Sequence, residues 1–123
     1  MTRNELKNYI YETYCIKPDC LWIKYPSYEV FRHADSKKWF AVIMDIPKAK
    51  LGLEGEGVIS VVNLKNDPIM IGSLRKESGI FPAYHMNKAY WITVVLDGTV
   101  EESKIKWLLD MSFDLTKKGT VKK

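Results

Sequence analysis

The sequence predicts an α+β fold in which a single antiparallel sheet is covered by N- and C-terminal helices. Two observations carry that reading. Helix-start signals followed by apolar residues at helical spacing stand at both ends of the 123-residue chain. Between them lie β-branched and aromatic runs bounded by turn residues, chiefly "WFAVIMDI", "VISVVNLK" and "YWITVVL". Helix, two or three strands, short helix, strands and long helix is the order of a two-layer sandwich. The length suits one domain with one modest core.

The elements follow in turn. Thr2 and Glu5 form a capping box, and Leu6, Tyr9, Ile10, Thr13 and Tyr14 recur on one face of the helix it opens. Pro18 is the latest point that helix can reach. Tyr28, Val30 and Arg32 then alternate with Glu29, Phe31 and His33, "ADSKK" turns the chain, and "WFAVIMDI" returns as a hairpin partner. "PKAKLGLEGEGV" is a glycine-rich connection; it lacks both GxxxxGK[ST] and the strand–glycine–helix order of a phosphate cradle.

After the strand "VISVVNLK", Asp67 caps a helix that Pro68 opens, and "PIMIGSLRKES" continues it to a left-handed cap at Gly79. Gly72 weakens that helix by about 1 kcal/mol relative to alanine. Pro82 restricts "IFPAYHM" to a sheet edge. "YWITVVL" is a further strand and "DG" a turn, and Thr99 with Glu102 reads as a second capping box. Ile105, Leu108, Leu109, Ser112, Phe113 and Thr116 make the mostly apolar stripe of the last helix. The expected division is one domain over residues 1–116 and a basic, flexible tail over 117–123.

Composition excludes several classes. The start "MTRNELKNYI" lacks the apolar block of a secretory signal. No run approaches the roughly 18 apolar residues of a membrane span, so no membrane partner is expected. Cys15 and Cys20 are then expected as reduced thiols in a cytoplasmic protein. The net charge is +4, yet "KKGTVKK" holds four lysines, so the rest of the chain is balanced. Attraction to a polyanion rests largely on that tail.

Candidate chemistry concentrates in "PAYHMNKAYW", residues 82–91. His85 has the residue type of a general base, but no motif sets a Ser, Cys or Asp beside it, and a structural, hydrogen-bonded histidine or a ligand contact are the competing readings. Asn87 reads either as a turn residue or as a base-edge contact, and Lys88 as a phosphate or guanine contact. Tyr84 and Tyr90 could stack bases, whereas Trp91 reads first as core. Lys65 and Asp67 flank the same region, Lys65 as a solvated strand end or contact, Asp67 as a helix cap or contact. Cys15, Cys20, His33 and His85 match no zinc spacing, and no carboxylates pair for hydrolysis, so neither metal nor cofactor is expected. An enzyme is the poorer expectation.

"NLKNDP", "GSLR", "FPAYHMNKAYWITVVLDGTV" and "LLDMSFDLTKK", with "KKWFAVIMD" and "LGLEGEG", resemble the MmcQ/YjbR family of small bacterial proteins over nearly the whole chain. The resemblance implies a frataxin-like α+β fold and a DNA-binding role, with no activity established for the family as a whole. Its motifs map onto Asn63, Leu64, Lys65, Asp67 and Pro68, onto Tyr84, His85, Met86, Asn87, Lys88 and Trp91, onto Asp97 and Gly98, and onto Asp110 and Ser112. Many members carry cysteine where this chain has Asn66, glycine at Ala83 and asparagine at Ile92. Frataxin's acidic iron surface has no counterpart in the first helix here, so the resemblance carries no metal role. The leading expectation is a noncatalytic protein binding DNA through residues 84–90 and the tail. A protein-interaction module and a small-molecule pocket around His85, Trp91 and Asp67 are the alternatives.

Overall fold

The capping box at Thr2 forms as its residue types dictate. Glu5 N donates to Thr2 Oγ1 and Thr2 N to Glu5 Oε1, opening α1 (Arg3–Tyr14). In this computed structural model, which describes residues 1–117, β1 (Glu29–Arg32), β2 (Trp39–Pro47) and β3 (Val58–Lys65) follow, then α2 (Pro68–Leu74), β4 (Ile80–Pro82), β5 (Trp91–Val95) and α3 (Glu102–Thr116). The strands form one antiparallel sheet in the order β1-β2-β3-β5-β4. Apart from Lys117, the expected basic tail lies outside the described residues.

Alternation along the strands gives the sheet two apolar faces. Phe31, Ile43, Val62, Leu64, Ile92 and Val94 meet Leu6 and Ile10 of α1, Ile71 and Leu74 of α2, and Ile105, Leu108 and Leu109 of α3. Val42, Met44, Ile46, Ile59, Val61 and Val95 face the other way and carry no α-helix; the short 3-10 turn Lys48–Leu51 sets Leu51 against them. Between β1 and β2 the register passes from Phe31↔Ala41 to Arg32↔Trp39, skipping Phe40. That irregularity lets Phe40 and Ala41 both join the helix side while Trp39 joins the other.

Polar bonds fix the helices. Asp110 of α3 accepts hydroxyls from Tyr9 at 2.8 Å and Tyr14 at 2.7 Å. Burial, then the Asp110 bond, pushes both phenols upward in pKa. Ser112 Oγ donates to Phe40 O at 2.6 Å and accepts from Lys65 N at 2.8 Å, joining α3 to β2 and β3. His33 is buried against Phe40 and Phe113, with Nε2 2.8 Å from Thr116 Oγ1. Since that hydroxyl donates to Ser112 O, it accepts from the imidazole. Burial holds the His33 pKa below its ordinary 6.5.

Two sequence expectations fail for local reasons. The helix opened by Asp67 ends at Leu74, because Lys76 N and Glu77 N bond back to Ser73 O and Leu74 O in tight turns. Gly79 is left-handed (φ +87°), but it leads into β4 instead of capping α2; a Cβ there would stand 2.6 Å from Val100 Cγ2. The second capping box does not form either. Thr99 N is taken by Asp97 Oδ1 at 3.0 Å in the "DG" turn, and the helix starts later, with Glu101 at its N-cap and no side-chain cap bond.

Candidate functional site: an aromatic cup on the open sheet face

The helix-free face is roofed by loops. Beyond α1 the chain runs beside β1, where Asp19 and Val30 exchange backbone bonds of 2.8 and 2.9 Å, and then folds over the sheet in successive turns at Trp22–Tyr25 and Tyr25–Tyr28. Arg3 holds the end of this segment: Nη2 donates to Ser27 O and to Glu29, both at 2.7 Å, and Nη1 to Asp45 at 2.6 Å. Lys7 completes the network at Glu29 and, with Arg3, holds that carboxyl below its usual range against the opposing effect of burial.

The opposite wall is the segment after β4. Asn63 and Thr93, adjacent on β3 and β5, are fully buried and bonded to each other. Asn63 Nδ2 donates to Tyr84 O at 2.8 Å, and Thr93 Oγ1 accepts from Tyr84 N at 2.9 Å. Both backbone groups of Tyr84 are thus held by side chains rising from the sheet. His85 follows with φ +62°, a left-handed conformation uncommon outside glycine, and its ring lies 3.9 Å from that of Tyr84.

Between these walls is a cavity of about 210 Å³ with Val42 and Met44 at its base. Trp22, Tyr25, Tyr28, Trp39, Tyr84, His85 and Met86 line the rest. Trp22 meets Tyr28 and Trp39 edge-on at 5.9 and 5.7 Å, and Tyr25 stacks on Tyr28 at 4.8 Å. Two more open hollows adjoin it, of about 500 and 270 Å³. One contains Lys24, Lys50 and Asp45, the other Lys50 and Lys88; Tyr84 lines all three hollows. Asp45 is already engaged by Arg3 and Ser60. The side chains of Lys24, Lys50 and Lys88 make no ion pair or hydrogen bond among the described residues.

The sequence candidates separate. Tyr84 and His85 line the cup, and Lys88 stands at the adjoining rim. His85 is exposed and makes no hydrogen bond among the described residues, so the hydrogen-bonded structural histidine is not what the geometry shows. Asp67 caps α2 through Ile69 N at 2.9 Å, and Asn87 Oδ1 accepts from Ala89 N at 2.8 Å within a turn. Lys65 Nζ lies 6.0 Å from the Tyr90 ring centroid, and neither lines the cup. Trp91 is half-buried and belongs to neither apolar cluster, so the core assignment does not hold. The pocket expected around His85, Trp91 and Asp67 is not assembled; His85 alone of the three lines the cup.

Trp22, Tyr25, Tyr28 and Trp39 escaped the sequence reading. The available signal was aromatic density in "LWIKYPSY", a stretch without the period of a strand or helix to bury its rings. Cys15 and Cys20 are both free thiols at the surface. Among the described residues no three His, Cys, Asp or Glu side chains gather as metal ligands, and no helix is long and apolar enough to cross a membrane.

A family model described as YjbR matches residues 11–115. The chain belongs to the YjbR family. An uncharacterised Bacillus subtilis (strain 168) relative named YyaQ is 43% identical over 117 residues, covering 95% of this chain and 99% of the relative. A crystal structure of a Pseudomonas syringae protein superposes with TM-score 0.94 at 48% identity, covering 95% of this chain and all of that one. A Deinococcus radiodurans protein matches at TM-score 0.74 and 25% identity, over 99% of this chain and 83% of that one. Asn63, Asp110 and Ser112, which the sequence resemblance singles out, act here as bridges: one holds the cup wall, and two hold α3.

Proposed function

We propose that this YjbR-family chain is a noncatalytic binding protein, that the sheet face opposite the helices is its binding face, and that its partner is nucleic acid. One observation supports this above all: aromatic rings from three separate segments converge around an apolar base, beside three lysines with no partner among the described residues. Stacking rings with cations alongside is the combination that grips nucleic acid without a motif for reading sequence. Among the described residues His85 has no hydrogen-bonded nucleophile or orienting acid, which supports binding over turnover. The antiparallel sheet under two terminal helices supports a frataxin-like sandwich, and two free thiols support a cytoplasmic setting.

A small planar ligand is the second reading, favoured by the concavity of the cup. A protein partner is the third, favoured by Leu21 and Ile23, which expose apolar surface beside it. The test is a titration of labelled single- and double-stranded DNA at about 50 and 200 mM salt, with the intact chain and with one ending at Thr116. Binding that weakens with salt and survives truncation supports the sheet face. Loss with the tail alone assigns the affinity to its lysines, and absence of binding at low salt refutes nucleic acid as the partner.

A further inference from the structure

We propose that the cup receives one unpaired nucleobase of a single strand, with the flanking phosphates lying against Lys24, Lys50 and Lys88. This rests on the nucleic-acid reading above and specifies which part of the polymer the protein holds.

Shape argues for a single small ring system. The cup itself, at about 210 Å³, has room for one ring system, and the hollow of about 500 Å³ that shares Tyr25, Tyr28, Tyr84 and His85 with it leaves room for the groups attached to that ring. Its walls suit a flat guest: Tyr25 and Tyr28 stand stacked, and Trp22 stands edge-on to Tyr28 and Trp39. A base within a duplex offers only its groove edges and buries its faces in the stack. Rings set around a hollow therefore meet a base only after it has left the helix.

Charge decides what the ring is attached to. Aromatic walls also attract organic cations, but a cation in the cup would lie beside hollows lined by Lys24, Lys50 and Lys88. The one carboxylate in the adjoining hollows, Asp45, already accepts from Arg3 and Ser60. Three cations without protein partners around an apolar hollow are complementary to a planar group with an anion on either side, which is the repeating unit of a nucleic-acid strand.

The test uses the full chain and a labelled ten-nucleotide oligothymidylate, its duplex with oligoadenylate, and thymidine 5′-monophosphate. The expected result is a preference of more than about tenfold for the single strand. Trp22→Ala and Tyr25→Ala are each expected to lose about 5- to 150-fold in affinity, the range for removing one base–aromatic stack. Both side chains are partly exposed on loop backbone, so a cooperative thermal transition within a few degrees of the parent's is expected to confirm folding. Lys50→Ala is expected to flatten the salt dependence. Equal binding of single strand and duplex, unaffected by Trp22→Ala, would overturn base insertion while leaving nucleic-acid binding intact. Binding of the mononucleotide without the oligonucleotide would overturn the strand assignment. No binding of any probe at low salt would overturn both this inference and the reading beneath it.

Discussion

On one side of the sheet, Leu6, Ile10, Leu108 and Leu109 close against Phe31, Ile43, Val62 and Leu64, and every one of these side chains is fully buried. On the other, Val42, Met44 and Val61 lie beneath loops whose rings stay partly in water: Trp22 is 36% exposed and Tyr25 49%. The helix side is filled by aliphatic chains on regular elements, which interlock at crystal-like density. The loop side is covered by large rings on irregular backbone, held by Arg3 at one end and by Asn63 and Thr93 at the other. Rings fixed by polar bonds at their backbones need not fill space completely, so the cover leaves a hollow. Both faces bury their aliphatic side chains, but only the loop side keeps a hollow among its covering rings.

The largest expected effect lies on the helix side. Leu108→Ala removes a fully buried side chain and is expected to cost about 2–5 kcal/mol in denaturant unfolding. A cost below about 1 kcal/mol would mean that this face is no better packed than the other. Next comes Thr93→Val, which keeps the shape but strands Tyr84 N and one lone pair of Asn63. About 1–3 kcal/mol is expected, together with altered tryptophan fluorescence as the cup wall loosens.

A third effect is pH dependence on the helix side. His33 is held neutral by burial, so its folded pKa lies below the 6.5 of the unfolded chain. As pH falls through 6.5 the unfolded state takes up the proton first, and stability declines until the folded imidazole protonates as well. Above that window the group contributes no pH dependence. Melting temperatures between pH 7.5 and 5 are expected to fall in the parent and to fall less in His33→Gln; identical slopes would remove His33 as the cause. The smallest expected change in stability is Trp22→Ala, about 0.5–1.5 kcal/mol, because this loop ring is 36% exposed and its packing is chiefly the edge-on contacts with Tyr28 and Trp39.

How far these faces could be read in advance follows from the same difference. Ile105, Leu108, Leu109, Ser112 and Thr116 were legible because a helix repeats its buried positions, and all five are buried. Strands β2, β3 and β5 were legible as runs rich in β-branched and aromatic residues. Local signatures were less dependable. The capping pattern holds at Thr2, whose backbone N–H is taken by Glu5, and fails at Thr99, whose backbone N–H is taken by Asp97. The cup was half legible: "YHMNK" pointed to Tyr84 and His85, but Trp22, Tyr25, Tyr28 and Trp39 reach them only across the sheet. Lys65, Asp67 and Asn87 stood beside the same motifs in the sequence, yet bonds to backbone take up the last two.

The most direct test of the account is a two-dimensional NMR titration of tryptophan indole signals with a single-stranded oligonucleotide. The four indoles divide well: Trp22 and Trp39 line the cup, Trp91 lies half-buried at the sheet end, and Trp107 is exposed on α3 with Lys104 5.2 Å from its ring centroid. The account predicts large shifts at Trp22 and Trp39 and an unmoved Trp107, although Trp107 is an exposed ring beside a lysine. Shifts at Trp107 with silence at Trp22 and Trp39 would place the binding face on the helices and contradict it.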